Sequence, residues 1–217
     1  MSGLRDYQEW HKQYDDPGSG VSWRLRTVQQ HLRTALDRSD GPVRILSLCA
    51  GDGRDVLGVL GERDETDRET ASRVSAALVE LHPDIAQQAR DRAAAARLGS
   101  VEVLTADAGC PDSYASAVPA DIVLLVGIFG NITDADVHRT VQAAPQLCAQ
   151  GATLLWSRGR QHLDLNDDIR RWFAEAGFSE LDYATHDSRS RPALGAVRFD
   201  GPPQPLQPGQ RLFTFVR

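Results

Sequence analysis

The chain has 217 residues, of which 41% are hydrophobic and 25% are charged, and these proportions suit one globular domain with a substantial core. Its net charge of -6 offers no overall basic face for nucleic acid, its longest apolar run is too short to cross a bilayer, and its three cysteines lack the spacing of zinc ligands. We therefore expect a cytoplasmic protein without a nucleic-acid partner, a membrane span or a metal site, since the sequence also begins without the apolar run of a secretion signal.

Two amphipathic helices are predicted before residue 43, over 4–14 and 23–36, with a Pro- and Gly-rich break between them. Ser22 is the predicted cap of the second helix, whose apolar stripe consists of Leu25, Val28, Leu32 and Leu36. The aromatic residues of this region either cover a pocket as a lid or pack against the edge of the domain. We favour packing for Trp23 and a lid for a second group, which consists of Tyr7, Trp10, His11 and Tyr14.

The segment 43–60 predicts a strand, a tight glycine turn and a helix, which is the opening unit of a nucleotide-binding α/β fold. Aliphatic residues dominate its first six positions, and an apolar stripe at helical spacing marks its end. Gly51 and Gly53 lack a β-carbon, so the turn that contains them can approach a ligand closely. The N-terminal amide groups of the following helix face the same ligand.

Acidic residues stand at the carboxyl ends of the next two predicted strands. Glu80 lies at the end of the strand predicted over 74–81, and Asp107 follows the strand predicted over 101–105. In dinucleotide-binding folds an acid after the second strand accepts hydrogen bonds from ribose hydroxyls, and ligands bind beside the carboxyl ends of the strands. Both carboxylates are therefore predicted to face a ligand.

The most apolar run, 122–126, predicts a central strand that is buried on both faces. The loop that follows, 127–132, has two glycines around an aromatic residue, which indicates close contact with a ligand. A helix and a strand at 152–156 come next, and that strand ends in an electropositive rim that includes Arg158 and His162.

The remaining elements close the predicted sheet. An amphipathic helix over 165–176 precedes a strand over 178–185, and the final strand is predicted over 211–216. The region between these two strands is rich in Pro, Gly, Ser and Arg, with a further short strand considered at 196–199.

The predicted order of elements over 43–217 resembles that of a class I S-adenosylmethionine-dependent methyltransferase. Five strand–helix units are followed by a helix and two closing strands, and acids follow the second and third strands. The resemblance implies an α/β fold, a three-layer αβα sandwich whose seven-stranded, mostly parallel sheet has an antiparallel last strand. It also implies a methyltransferase domain over 43–217, after an N-terminal helical lid or substrate-side segment over 1–42. The runs SLCAGDGRD and GIFGNI and the tail 201–217 further resemble a group of actinobacterial methyltransferases for small molecules.

The resemblance implies a site for S-adenosylmethionine. The turn at 49–53 resembles the motif that holds the methionine part, Glu80 matches the acid that binds the ribose, and Asp107 matches the side chain at the adenine amino group. Ser47 stands where the family often has an acid, which leaves the cofactor's ammonium group to Asp52, Asp55 or backbone carbonyls. The predicted cofactor-binding residues are Cys49, Ala50, Gly51, Gly53, Asp55, Glu80, Leu81, Ala106, Asp107, Ala108, Gly127, Ile128 and Phe129.

Methyl transfer requires an acceptor held in line with the sulfur–methyl bond, and a base where the acceptor carries a proton. The predicted catalytic residues are His11, His162, His186 and Tyr14. The predicted substrate-binding residues are Tyr7, Trp10, Asn131 and Arg158, of which the last is suited to a substrate carboxylate.

The predicted function is O- or N-methylation of a small molecule, in secondary metabolism, by a monomer or homodimer. An NAD-binding domain is a weaker interpretation, because Val56 occupies the place of its third glycine. A nucleic-acid methyltransferase is disfavoured, because the loop at 127–131 differs from the Asn/Asp-Pro-Pro-Tyr motif of the amino-methylating enzymes. A cofactor-binding regulatory module without methyl transfer remains the alternative.

Overall fold

The computed structural model describes residues 14, 16–61, 73–161 and 164–216. The strands are β1 (Val43–Leu48), β2 (Val74–Glu80), β3 (Val101–Thr105), β4 (Ala120–Leu125), β5 (Cys148–Gly159), β6 (Phe178–Thr185) and β7 (Pro192–Phe199). The helices of this part of the chain are α1 (Gly20–Asp37), α2 (Arg54–Gly61), α3 (Pro83–Ala95), α4 (Asp134–Ala143) and α5 (Asn166–Glu175), with 3₁₀ turns at Pro111–Ala117 and Ala144–Gln146.

The seven strands form one sheet in the order β3-β2-β1-β4-β5-β7-β6. The first five strands of that order pair in parallel, whereas β7 pairs antiparallel with both β5 and β6. The predicted fold class is thus confirmed. The chain moves outward from β1 in one direction and returns to its other side with β4, so the order reverses beside β1. Ligands of open α/β sheets bind at such a point, beside the carboxyl ends of the strands.

Helices cover both faces of the sheet, and two apolar clusters fill the space between the layers. On β1, Leu46 and Leu48 belong to the cluster with α4 and α5, whereas Val43 and Ile45 belong to the cluster with α1, α2 and α3. Successive side chains of a strand point to opposite faces, so a strand covered on both sides needs apolar residues at nearly every position. This is why the inner strands are nearly continuous aliphatic runs.

Helix α1 begins earlier than predicted, because Ser19 rather than Ser22 caps it. The side chain of Ser19 accepts a hydrogen bond from the N–H of Ser22 at 3.0 Å, and the Ser22 hydroxyl donates to the carbonyl of Tyr14 at 2.9 Å. Three of the four predicted stripe residues are buried, and Leu25 is half-buried. The predicted helix over 4–14 lies, except for Tyr14, outside the described residues, and the division of the chain at residue 42 stays a prediction.

The prediction of a final strand over 211–216 was wrong. The antiparallel strand is β7, Pro192–Phe199, which extends the short run considered at 196–199, while residues 211–216 belong to no strand. In RLFTFV the adjacent residues Leu212 and Phe213 are buried in the core, but the run forms no ladder of backbone hydrogen bonds with a strand. No helix of the described ranges is both long enough and apolar enough to span a membrane.

Candidate functional site

A cavity of about 480 Å³ lies against the turn after β1 and the ends of the neighbouring strands. Its volume falls in the range of roughly 300–1,000 Å³ that is usual for small-molecule sites. Twelve of the predicted site residues line its wall, namely Tyr14, Cys49, Ala50, Gly51, Asp55, Glu80, Leu81, Asp107, Ala108, Gly127, Asn131 and Arg158. The topology therefore brings together residues that are more than 100 positions apart in the sequence.

Five predicted residues do not line this cavity, and four lie outside the described part of the chain. The first group is Gly53, Ala106, Ile128, Phe129 and His186. The second group is Tyr7, Trp10, His11 and His162. Of the remaining wall residues, Asp52 was named as a candidate for the ammonium group, and Gly130 lies in the loop predicted to contact a ligand. The wall residues that the sequence did not assign to a ligand are Arg24, Arg54, His82, Val126, Ser157, Gly159, Pro192, Ala193 and Phe215.

The turn after β1 has the left-handed backbone conformation at three positions. Cys49, Gly51 and Gly53 have φ angles of 56°, 58° and 78°. A β-carbon on Gly53 would lie 2.6 Å from a methyl group of Leu57, so this position needs glycine for packing as well as for its backbone. Burial, together with the carboxylates of Glu80 and Asp107, raises the pKa of the Cys49 thiol, which therefore stays neutral beside the cavity.

Glu80 links the end of β2 to this turn. Its Oε2 accepts a hydrogen bond from the N–H of Gly51 at 3.0 Å, and its Oε1 accepts one from the N–H of His82 at 2.9 Å. The residue is only 8% exposed. A carboxylate has about four lone-pair sites, so two acceptor positions remain for a ligand at the cavity wall.

Asp107 is more open and is held from two directions. Its Oδ1 accepts a hydrogen bond from the N–H of Gly109 at 2.8 Å, and its Oδ2 lies 3.0 Å from Nη1 of Arg211. About two-fifths of its side chain is exposed. This carboxylate faces the cavity from the end of β3.

Two further carboxylates follow the glycine turn, and their surroundings differ. Asp52 pairs with Nε of Arg54 at 2.8 Å and with Nη2 of Arg92 at 3.0 Å, so two arginines surround it. Asp55 lies in the first turn of helix α2, and burial raises its pKa to about 6, although the positive charges of Arg24 and Arg54 oppose that shift.

Tyr14 and Arg24 form the wall on the side of α1. The guanidinium of Arg54 lies over the ring of Tyr14, 4.3 Å from its centroid, in cation–π geometry. Burial raises the pKa of the Tyr14 hydroxyl, which therefore stays protonated at neutral pH. A β-carbon on Gly127 would lie 3.9 Å from Nη1 of Arg24, which places this guanidinium beside the end of β4.

Side-chain hydrogen bonds shape the loop after β4. Ser157 accepts from the N–H of Gly127 at 2.9 Å, and the amide of Asn131 donates to the carbonyl of Gly127 at 2.8 Å. Arg158 donates to the carbonyl of Phe129 and pairs with Asp134 at 2.9 Å. Arg158 therefore holds the loop in place, and a substrate carboxylate would have to share it with Asp134.

His186 lies away from the cavity wall. Its ring stacks on Trp23 with 5.4 Å between the centroids, and its Nδ1 accepts a hydrogen bond from the N–H of Ser188 at 3.2 Å. These contacts describe a packed histidine beside α1, and its catalytic role stays a prediction without a contact to support it. Within the described residues, no group of three or more His, Cys, Asp and Glu side chains is arranged to hold a metal ion.

Comparison with known proteins finds no matching family model and no matching curated protein. Solved structures match in fold. The magnesium protoporphyrin IX methyltransferase of Synechocystis, with bound S-adenosylmethionine, is 12% identical, and the match covers 90% of this chain and 91% of that chain at a TM-score of 0.67.

Two further structures show that this fold occurs with different activities. An O-methyltransferase family protein from Burkholderia thailandensis is 17% identical, and the match covers 90% of this chain and 60% of that chain at a TM-score of 0.61. A protein of Streptococcus pneumoniae that is described as a tRNA methyltransferase is 14% identical, with 82% and 72% covered and a TM-score of 0.53. At these identities the likeness establishes the Rossmann-like methyltransferase fold.

Proposed function

We propose that this protein is an S-adenosylmethionine-dependent methyltransferase whose acceptor is a small molecule. One observation carries the proposal: Glu80 and Asp107, from the ends of β2 and β3, face the same cavity as the glycine turn after β1. A fold of this type binds nucleotides where these elements meet. Membership of the actinobacterial group that the sequence resembles, O- or N-methylation, and a place in secondary metabolism remain parts of the proposal.

The adenosine end of the cofactor fits the two carboxylates. Each keeps lone pairs for a ligand after its internal hydrogen bonds are counted, and ribose hydroxyls and the adenine amino group are donors. Leu81, with more than half of its surface exposed, lines the same cavity and offers an apolar contact for the purine ring. Glu80 is thus assigned to the ribose and Asp107 to the amino group.

The amino-acid end of the cofactor is a zwitterion, and the cavity wall has one group for each of its charges. Asp55 is suited to the ammonium group, because Asp52 is already paired with two arginines. Arg24 is suited to the carboxylate, because its guanidinium lies beside Gly127, next to the position expected for the methionine part. In this assignment Asp55 supplies the carboxylate for the ammonium group, since Ser47 stands where the family often has an acid.

The bound cofactor supplies an electrophilic methyl group on a sulfonium. The protein has to orient the acceptor, exclude water and take up a proton where one is released. Tyr14 can donate a hydrogen bond to the acceptor, since its hydroxyl stays protonated. Asn131, Ser157 and Phe215 complete the wall at this end with polar and aromatic surface.

The net charge of the chain supports a small acceptor over nucleic acid. A chain with a net charge of -6 lacks the overall excess of basic residues that phosphate binding favours. The protoporphyrin methyltransferase of the same fold acts on a molecule of that class.

The test is methyl transfer from labelled S-adenosylmethionine to a panel of phenols, amines, thiols and carboxylic acids, with unmodified tRNA as a separate arm. We expect label on a small molecule from the wild-type protein and at least about tenfold less from the Glu80→Gln variant, which loses a charged acceptor. Label on tRNA alone would contradict the small-molecule assignment. Tight cofactor binding without transfer to any acceptor would favour a regulatory module instead.

A further inference from the structure

The segment that follows β7 crosses the molecule and ends at the cavity wall. We call residues 201–216 the strap. The N–H of Leu212 donates to the carbonyl of Gly109 at 2.9 Å, and the N–H of Val216 donates to the carbonyl of Asn131 at 2.9 Å. Leu212 and Phe213 are buried, so the strap is anchored over the ends of β3 and β4.

Arg211 of the strap reaches the carboxylate at the end of β3. Its Nη1 lies 3.0 Å from Oδ2 of Asp107, and its Nη2 lies 3.0 Å from Sγ of Cys110. Nη1 also approaches the carbonyl of Phe213 at 3.3 Å. The Phe213 carbonyl and the Cys110 thiol therefore help to hold the guanidinium beside Asp107.

The close approach of the strap to this turn depends on Gly109. A β-carbon at this position would lie 2.3 Å from the carbonyl oxygen of Phe213, 3.1 Å from Oδ1 of Asp107 and 3.3 Å from Nη1 of Arg211. The strap, the carboxylate and the guanidinium thus meet around one glycine. Such contact fixes the distance between Arg211 and Asp107 through the backbone rather than through flexible side chains alone.

The Arg211–Asp107 ion pair is too exposed to serve mainly as a source of stability. The exposed fractions of the two side chains are 47% and 41%, and ion pairs this open to solvent contribute little to stability. The ion pair does restrain the Asp107 carboxylate. Without Arg211, the hydrogen bond from the N–H of Gly109 would be its main restraint, and the carboxylate could rotate about the Cβ–Cγ bond. With both anchors in place, the remaining lone pairs have fixed directions.

We propose that Arg211 is a positioning residue for the adenine end of the cofactor and that it acts through the carboxylate of Asp107. The inference rests on the proposed function. Arg211 restrains Asp107 before the ligand arrives, so the adenine amino group meets an acceptor that is already oriented. Preorganisation of this kind raises affinity because the ligand no longer has to order the group it binds.

The experiment is a double-mutant cycle read by calorimetric binding of S-adenosylhomocysteine, with Arg211→Gln, Asp107→Ala and the double variant. We expect affinity to fall about three- to tenfold for Arg211→Gln and at least about tenfold for Asp107→Ala, with the double variant close to Asp107→Ala. S-inosylhomocysteine, which lacks the amino group, should bind the wild-type protein and Arg211→Gln equally well.

The matched control is Arg198→Gln. Arg198 pairs with Asp200 at 2.7 Å, with exposed fractions of 54% and 39%. It lies opposite Thr153 in the middle of β5, and none of these three residues lines the cavity. We expect wild-type affinity from this control. The inference would be overturned, with the proposed function intact, if Arg211→Gln bound S-adenosylhomocysteine as tightly as the wild-type protein or more tightly. It would also be overturned if the loss of affinity in the double variant equalled the product of the two single losses. Absence of binding by the wild-type protein would overturn the proposed function and this inference with it.

Discussion

The carboxylate of Glu80 accepts a hydrogen bond from the backbone N–H of Gly51 at 3.0 Å across 29 positions of sequence. Its other oxygen accepts the N–H of His82 at 2.9 Å. The end of β2 thereby fixes the glycine turn after β1, and one side chain joins the two elements that the proposed cofactor would contact. A residue in this position affects both the fold and the ligand.

The first prediction follows from those two acceptors. Glutamine at position 80 has one acceptor oxygen, so either orientation of its amide directs an NH₂ group at a backbone N–H. We expect Glu80→Gln to lower the free energy of unfolding by about 1–3 kcal/mol, the cost of one buried unsatisfied donor. Denaturant unfolding measures this change. Glu102→Gln, at an exposed position of β3, is the control that should leave it unchanged, and equal stability of the two variants would contradict the prediction.

The second prediction concerns the pH dependence of stability. Burial raises the pKa of Asp55 to about 6, above its ordinary value of 3.8, so the folded protein binds this proton more tightly than the unfolded chain does. The contribution of Asp55 is therefore fully present below about pH 4 and is lost as the pH rises to about 6. We expect the Tm of Asp55→Asn, relative to wild type, to increase over this range. Parallel curves of Tm against pH for Asp55→Asn and the wild-type protein would contradict this prediction.

The third prediction tests the amino-acid end of the proposed site. Arg24→Gln removes the cation assigned to the cofactor's carboxylate, so we expect S-adenosylhomocysteine to bind about tenfold more weakly. Methylthioadenosine has neither the carboxylate nor the ammonium group, and its affinity should not change. Calorimetry with both ligands measures the difference, and Arg26→Gln, an exposed position on the same helix, is the control. An equal loss for both ligands would show that Arg24 acts on the fold instead.

The fourth prediction addresses the contact between the strap and the turn after β3. A β-carbon at position 109 would lie 2.3 Å from the carbonyl oxygen of Phe213, which is backbone and cannot turn aside. We expect Gly109→Ala to lower the free energy of unfolding by about 1–3 kcal/mol through overpacking. Gly99→Ala has no atom within 4 Å of the added carbon and should change it little. Similar stability of the two variants would mean that the strap lies farther from the turn.

The cofactor side of the site was predictable because its residues follow directly from strand ends. Glu80 and Asp107 come after apolar runs whose parallel pairing brings their carboxyl ends to one edge. The glycine turn could be placed in the same way, since Gly51 and Gly53 need positive φ angles. Local spacing was sufficient for these residues, although their roles in binding remain predictions.

The remainder of the wall depends on contacts between distant segments. Arg24 looked like one of many helical arginines, and only the packing of α1 on the sheet places it beside Gly127. Phe215 lies in the run that was predicted as a final strand, and its place at the cavity depends on the contact of the strap with the loop after β4. The ion pair between Arg211 and Asp107 spans 104 positions, so no local sequence pattern predicts it.

The central claim is that the cavity binds S-adenosylmethionine, and direct titration of the wild-type protein is its clearest test. We expect calorimetry with S-adenosylmethionine and S-adenosylhomocysteine to give saturable heat at one site per chain. At a ligand concentration of about 100 Kd, the bound state should gain about 2.7 kcal/mol of stability, seen as a rise in Tm. If neither ligand at millimolar concentration gave heat or a shift in Tm, that result would contradict the account.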